Sequence, residues 1–239
     1  MHPDQSLSTF ASRVAVVDPS GEWTYGDLYS DPLGLRKSVA QNSSVALRTS
    51  SALNVAAAVI ALDGWASIVH LIPPDVDPQI VTDGSQIISE FAPKRAEQIL
   101  ESTNDHVTEW ILYTSGTTGT PKSIRHTIAS LSRTISVNQH VSELTWGMIY
   151  DPNRMAGIQV LLQSLTSLTT LVAPDPYSSL QDRIAFLRAH KVDALSATPT
   201  LWRQILQSAD VVGWDLRQIT LGGEIADQKI LDALTAQFA

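Results

Sequence analysis

No cysteine occurs among the 239 residues, which excludes disulfides and thiolate-ligated metal sites. Basic residues are scarce as well. Lys and Arg number 16 against 24 Asp and Glu, the formal net charge is −8, and no basic run is longer than Lys94-Arg95. A nucleic-acid surface needs clustered cations to displace counterions, so no nucleic-acid partner is expected. Long apolar runs are also missing. The longest, "VAAAVIAL" from Val55 to Leu62, falls far short of the roughly 20 residues that span a bilayer. The opening stretch "MHPDQSLSTFASR" lacks the apolar core that secretion signals carry. These absences give the expectation of a soluble cytoplasmic protein with no membrane partner. The six histidines, His2, His70, His106, His126, His140 and His190, show no HxxxH or HxH spacing, so no protein metal site is expected.

What is present is ample material for a core: 44% of the residues are apolar, in a length suited to one large domain or two small ones. From Trp110 onward, short apolar runs alternate with helical patterns. "WILYT", "WGMIY", "LTTLVA", "VDALS" and "LRQITL" read as strands. Between them, Ile124, Ile128, Leu131 and Ile135 recur at helical spacing, "GIQVLLQSL" is helix-like, and Ser178 or Ser179 caps a helix carrying Leu180, Ile184 and Leu187. Thr198-Pro199 has the form of an N-cap followed by proline at the first helical position, and Ile230, Leu234 and Phe238 line a last helix. Trp202 reads as a core residue of the helix after Pro199. Earlier in the chain, "RVAVVD…GEWTY" reads as a short antiparallel pair, and "SVALRT", "ALNVAAAVIAL" and "SIVHLI" as a strand–helix–strand unit. Pro73 to Ser89, rich in proline and aspartate, reads as a connection. The pattern predicts an α/β fold of layered, mostly parallel sheets flanked by helices, divided into an N-terminal α/β subdomain (1–109) and a phosphate-loop α/β subdomain (110–239).

The stretch "WILYTSGTTGTPKSI" stands out, because hydroxyl residues, two glycines, a proline and a lysine directly follow a buried strand. A loop beyond the carboxyl end of a strand is where α/β proteins bind ligands. Gly116 and Gly119 permit a tight turn and a close backbone approach. Thr114, Ser115, Thr117, Thr118 and Thr120 offer hydroxyls, Lys122 adds a positive charge, and a helix starting near Ser123 would add its N-terminal dipole. The alternative is a Ser/Gly surface turn. A Walker A loop is excluded, since no Gly-Lys-Ser/Thr stands at the required spacing, and this argues against a P-loop kinase or NTPase.

"ILYTSGTTGTPK" (111–122) resembles, position for position, the signature phosphate loop of the acyl-adenylate-forming superfamily. That group comprises acyl-CoA synthetases, nonribosomal peptide synthetase adenylation domains and firefly-type luciferases. Other stretches resemble the same family in the same order: "GEWTYGDLYS" (21–30), "DPNRMAGIQVLLQSL" (151–165), "SATPTLWRQIL" (196–206) and "ITLGGE" (219–224). The resemblance implies an AMP-binding N-terminal domain of an ATP-dependent acid–thiol ligase. It forms an acyl-AMP from a carboxylic acid, ATP and Mg²⁺, then passes the acyl group to the thiol of CoA or of a carrier-protein phosphopantetheine. Capture by an amine and a non-catalytic binding module that keeps the fold are the alternatives.

By resemblance, Thr114, Ser115, Gly116, Thr117, Thr118, Gly119 and Lys122 hold the β- and γ-phosphates, while Gly222, Gly223 and Glu224 flank adenine and acyl group. Arg154, Gly157, Thr198 and Pro199 fall in the substrate pocket, and Mg²⁺ is held mainly by phosphate oxygens. No residue present corresponds to a catalytic side chain. The family's later Tyr-Gly-x-Thr-Glu-like motif, ribose-binding aspartate, hinge and C-terminal domain with its lysine have no counterpart before Ala239. The chain is therefore expected to be an N-terminal part that does not adenylate efficiently alone. Two positions depart from the family. Ser123 replaces the usual glycine after the lysine, and Asn153-Arg154 replace an aromatic-His pair. Arg154 either pairs with a second carboxylate or phosphate, or is a solvated arginine on a turn. His126 either approaches the nucleotide or lies on a helix surface.

Overall fold

Strands of five residues or fewer alternate with helices along most of the chain in the computed structural model, which describes residues 7–89, 91–95, 106–114 and 121–238. The first part runs α1 (Leu7–Phe10), β1 (Val14–Asp18), β2 (Gly21–Thr24), α2 (Tyr25–Tyr29), α3 (Leu35–Ser38), β3 (Ser44–Arg48), α4 (Ala52–Leu62) and β4 (Ile68–Ile72). There follow β5 (Gln86–Ile88), a longer strand β6 (Glu109–Thr114), β7 (Lys122–His126), α5 (Ile128–Leu131), β8 (Thr145–Gly147) and α6 (Met155–Ser167). The last part is β9 (Thr170–Val172), α7 (Leu180–Ala189), β10 (Ala194–Ala197), α8 (Pro199–Leu206), β11 (Gln218–Leu221) and α9 (Gln228–Phe238). Among the described residues, no helix is long and apolar enough to cross a membrane.

The strands form two sheets that do not follow chain order. The first runs β11-β10-β8-β9-β1-β2, and the second β5-β3-β4-β6-β7. Each is parallel except for one antiparallel edge strand, β2 in the first and β7 in the second. The reason for two layers lies in α4. Every residue of it except Ile60 is buried, so it has no face for water and must be covered on all sides. One core cluster accordingly joins Val16 and Leu171 of the first sheet to Leu47 and Leu71 of the second through α4 and α6. On the far side of the first sheet, Ile184, Leu187, Trp202, Ile205, Ile230 and Leu234 of α7, α8 and α9 form a second cluster. Trp202 is fully buried there and donates from Nε1 to the Thr220 carbonyl at 3.0 Å.

Local signals place most elements as the sequence suggests. Thr198 caps α8 by accepting from Leu201 N, with Pro199 at the first turn, and Ser179 caps α7 by accepting from Asp182 N. Thr24 and Asp27 make a reciprocal capping box that turns the β1–β2 hairpin into α2. Tyr25 then reaches across the layer. Its hydroxyl donates to the Thr169 carbonyl at 2.8 Å and the Ser164 carbonyl at 3.2 Å, tying α2 to the α6–β9 turn.

Two expectations are corrected. Residues 122–126 form a strand and not the start of a helix, since β7 pairs antiparallel with β6 from Thr114↔Lys122 to Trp110↔His126. The extended form comes from this pairing, by which β7 covers the otherwise open edge of β6. A Thr127–Ser130 capping box then starts the short α5, so the apparent helical spacing from Ile124 spans two different elements. The Pro73–Ser89 connection is also more structured than its composition suggests. It holds a 3-10 turn at Pro78–Ile80 and the edge strand β5, which pairs with β3.

That connection also supplies a partner for a buried polar chain. His70 on β4 is buried, and its Nδ1 lies 2.8 Å from the Tyr113 hydroxyl while Nε2 lies 3.0 Å from Asp83 Oδ2. Burial raises the Tyr113 phenol to about 12, with the Asp83 charge acting in the same direction. Burial alone would raise Asp83 too, but hydrogen bonds from Ser85 and His70 outweigh it and lower the carboxyl to about 2.

Two outcomes follow. Tyr25→Phe removes the donor to Thr169 and Ser164 and is expected to cost about 1 kcal/mol, lowering Tm by roughly 2–4 °C; an unchanged melting curve would deny the tie any weight. Asp83 has a folded pKa below its unfolded value, so its contribution is complete above about pH 4 and lost as pH falls toward about 2. With the side chain 38% exposed, screening limits it to ~1 kcal/mol. Urea melts of Asp83→Asn are expected to show lower stability than the parent at pH 7 and the same stability at pH 2.

Candidate functional site

The carboxyl ends of the two sheets meet around the turn 151–154, between β8 and α6. Asp151 Oδ1 accepts from Asn153 N at 2.9 Å and from Asn153 Nδ2 at 2.8 Å, which folds the turn on itself. Asn153 is fully buried, and its Nδ2 also donates to the Thr49 carbonyl just past β3 in the other sheet at 2.5 Å. Gly157 is required because any β-carbon there would collide with the Asp151 carbonyl.

Arg154 is neither solvated nor free. Its side chain is 26% exposed, NH1 donates to the Tyr113 carbonyl at 2.8 Å, and NH2 donates to both carboxylate oxygens of Asp75 at 2.7 Å. Its Nε stands 3.9 Å from Asp151 Oδ2. Arg154 therefore bridges the start of α6, the end of β6 and the connection after β4.

Thr114 ends β6 and lies directly opposite Lys122, whose carbonyl accepts from Thr114 Oγ1 at 3.4 Å. These two form the mouth of a hairpin. Ser115, Gly116, Thr117, Thr118, Gly119 and Thr120, expected to complete the phosphate loop, lie outside the described residues. Lys122 is exposed. His126 sits at the other end of β7, about 13 Å away at ~3.3 Å per residue. Burial lowers its pKa, and its Nδ1 lies 3.5 Å from Ser130 Oγ. It is a strand-end residue remote from the mouth.

Thr198 and Gly222 come together because β10 and β11 pair in parallel register, Ala197 opposite Leu221, and Gly222 N donates to the Ala197 carbonyl at 3.4 Å. Gly223 has a φ of +80°, a conformation that needs glycine, while a β-carbon on Gly222 would meet open space. The Glu224 carboxylate accepts from Thr200 Oγ1 at 2.6 Å and from Thr200 N at 3.0 Å, closing the turn onto the first turn of α8. Those two bonds lower its pKa. Tyr150 joins this group: burial raises its phenol, Ser196 opposes the shift, and the Glu224 charge adds to it. Nothing in the sequence singles out Tyr150, since its neighbours come from strands far along the chain.

A cavity of about 530 Å³ opens beside the turn at the carboxyl ends of β1, β8 and β9, lined in part by Ser51, Met148, Tyr150, Asp151, Asp175 and Arg183. Burial lowers the Arg183 pKa, and its NH1 donates to the Ile149 carbonyl at 3.3 Å. Asp151 is shared between the cavity wall and the surroundings of Arg154. Gly157, Thr198 and Pro199, expected in a substrate pocket, do not line this cavity. Among the described residues, no three His, Asp or Glu side chains converge to hold a metal ion.

Comparison with known proteins places the chain in a family. The family model described as AMP-binding enzyme matches residues 38–239. The mitochondrial acyl-CoA synthetase short-chain family member B of Dictyostelium discoideum is 30% identical over 187 residues, 69% of this chain and 26% of that protein. The beta-alanine-activating enzyme of Mus musculus is 26% identical over 163 residues, 62% of this chain and 14% of that protein. This chain thus spans about a quarter or less of the length of these relatives. The inhibitor-bound N-terminal domain of FACL13 from Mycobacterium tuberculosis superimposes with a TM-score of 0.77 at 17% identity, covering 97% of this chain and 71% of that one, and so shares its fold. The family match spans well over half the sequence, and the chain belongs to the AMP-binding enzymes, the acyl-adenylate-forming superfamily that its phosphate-loop sequence resembles.

Proposed function

We propose that this chain carries the phosphate-binding and acid-binding part of an ATP-dependent carboxylic-acid-activating enzyme, with a coenzyme A or carrier-protein thiol as acceptor. One observation carries the reading: the residues flanking the signature loop, Thr114 and Lys122, stand at the end of β6 that Arg154 ties to the carboxyl edge of the other sheet. Thr198 and Gly222–Glu224 occupy the same edge, because β10 and β11 run parallel to β8. A ligand lying along this edge would meet both groups. The relative named as an acyl-CoA synthetase supports a thiol acceptor.

In this proposal the substrate carboxylate attacks the α-phosphorus of ATP, pyrophosphate departs, and the acyl-adenylate is later opened by the thiol with loss of AMP. The protein's part is positioning and charge neutralisation. The mouth residues Thr114 and Lys122, with Ser115, Gly116, Thr117, Thr118 and Gly119, would hold the β- and γ-phosphates. Gly222 and Gly223 would let the backbone approach the adenine, and Glu224 would hold that turn in place through Thr200. Arg154, Gly157, Thr198 and Pro199 would shape the acid pocket. Mg²⁺, when bound with ATP, would neutralise phosphate charge and draw its ligands chiefly from phosphate oxygens. Since the chain covers a minor share of its relatives' length, carboxylate-dependent ATP–pyrophosphate exchange by these 239 residues alone is expected to stay near background.

Binding tests the reading without needing turnover. Because Lys122 begins a strand and not a helix, it does not itself stand at a helix N-terminus, and its charge would carry more of the phosphate contact. Lys122→Ala is expected to weaken ATP binding by about 10- to 100-fold in calorimetry, the scale of a charge-assisted contact of ~1.5–3 kcal/mol. Lys122→Arg should retain part of the affinity, and neither change should move Tm, since the side chain is exposed. Undiminished binding by the alanine variant would contradict this role.

The two glycines separate structure from ligand contact. Gly223→Ala is expected to destabilise by about 1 kcal/mol through its positive φ. Gly222→Ala has open space and should leave stability within about 0.5 kcal/mol of the parent while still weakening ATP binding. Unaltered ATP affinity in Gly222→Ala would remove the nucleotide from that turn.

A further inference from the structure

We propose that Arg154 is an oxyanion-binding group of this site and that Asp75 occupies it until a ligand anion displaces it; this rests on the proposed function above. The pair is asymmetric in a way a structural ion pair does not need. The cation is built in: Arg154 is 26% exposed, directly precedes α6 at its N-cap position, and one nitrogen of its guanidinium is fixed on the Tyr113 carbonyl. The anion is peripheral. Asp75 is 70% exposed on the turn that follows β4, and among the described residues its carboxylate pairs with Arg154 alone, while Arg48 secures that turn through the Pro74 carbonyl at 2.7 Å.

The geometry points to the kind of ligand. Asp75 presents both oxygens to one nitrogen of the guanidinium at 2.7 Å, and a phosphate or a second carboxylate carries the same anionic oxygen acceptors. An ion pair with so exposed a partner contributes little net stability, so a ligand of equal or higher charge can take its place. The position is adjacent to Thr114, where the phosphate loop begins, and it borders the cavity through Asp151, which lines the cavity wall. An oxyanion could therefore arrive from either side, as the polyphosphate of a nucleotide or as the second carboxylate of a diacid. Sequence separation hides the pair, for Arg154 and Asp75 stand 79 residues apart.

Calorimetry on the 239-residue chain tests this with ATP, pyrophosphate, succinate and butyrate as probes. Asp75→Asn removes the internal competitor and is expected to tighten binding of one oxyanion class by about fivefold. A gain for pyrophosphate and ATP assigns the group to phosphate. A gain for succinate without one for butyrate assigns it to a second carboxylate. The double variant Asp75→Asn/Arg154→Ala should lose the gain. Asp77→Asn removes an equal charge nearby, from a carboxylate that accepts from Gln79 N, and should produce no such gain. Equal tightening in Asp77→Asn and Asp75→Asn would reduce the effect to net charge and overturn the proposal. So would unchanged affinities in a folded Asp75→Asn, verified by its melting curve. If the parent chain still binds ATP in that case, the reading of the phosphate loop survives and only the role of Arg154 falls. Absence of ATP binding by the parent and by Asp75→Asn, with no gain for pyrophosphate or succinate, would overturn both.

Discussion

The buried amide of Asn153 is the contact on which the arrangement of this chain turns. It stands in the loop between β8 and α6 of one sheet, yet its Nδ2 donates to the Thr49 carbonyl at the end of β3 in the other. Leaving this seat would strip a buried Nδ2 donor of both its acceptors, the Thr49 carbonyl and Asp151 Oδ1, while Oδ1 of the same amide has no hydrogen-bond partner among the described residues. Arg154, next in sequence, repeats the crossing by donating to the Tyr113 carbonyl at the end of β6. Together these side chains bring the carboxyl ends of two separately woven sheets to a common edge. The shared core around α4 packs the sheets together, and these two side chains tie their carboxyl ends.

The consequence for chemistry is that one edge carries two kinds of apparatus. On one side is a hairpin mouth with a threonine and a lysine face to face. On the other, a Gly-Gly-Glu turn is closed by a carboxylate on Thr200. A hairpin changes the physics of the proposed phosphate loop. A helix start would supply a dipole and several amide donors, whereas a hairpin mouth relies on the lysine charge and on the amides of the loop itself.

Much of the fold was legible because its determinants are local. The alternation of strand and helix, the Thr198-Pro199 start of α8, the Ser179 cap of α7 and the continuous apolar run of α4 all act within a few residues. The strand at 122–126 was not, because its extended form comes from pairing with β6 while Ile124, Ile128 and Leu131 happen to mimic a helical period. Likewise β5 exists only because β3 offers an edge. At the site, residue types were legible from the loop sequence and partners were not. Arg154 stood out as unusual, but Asp75 sits across the fold, and the His70–Tyr113–Asp83 chain likewise depends on contacts between distant segments.

The most direct test of a shared edge is an ATP titration followed by amide chemical shifts of the labelled chain. The account predicts that the largest perturbations fall together on Thr114, Lys122 and Arg154 on one side and on Gly222, Gly223 and Glu224 on the other, at one common affinity. Perturbations confined to one group, or centred on helices away from the carboxyl ends of the strands, would contradict it.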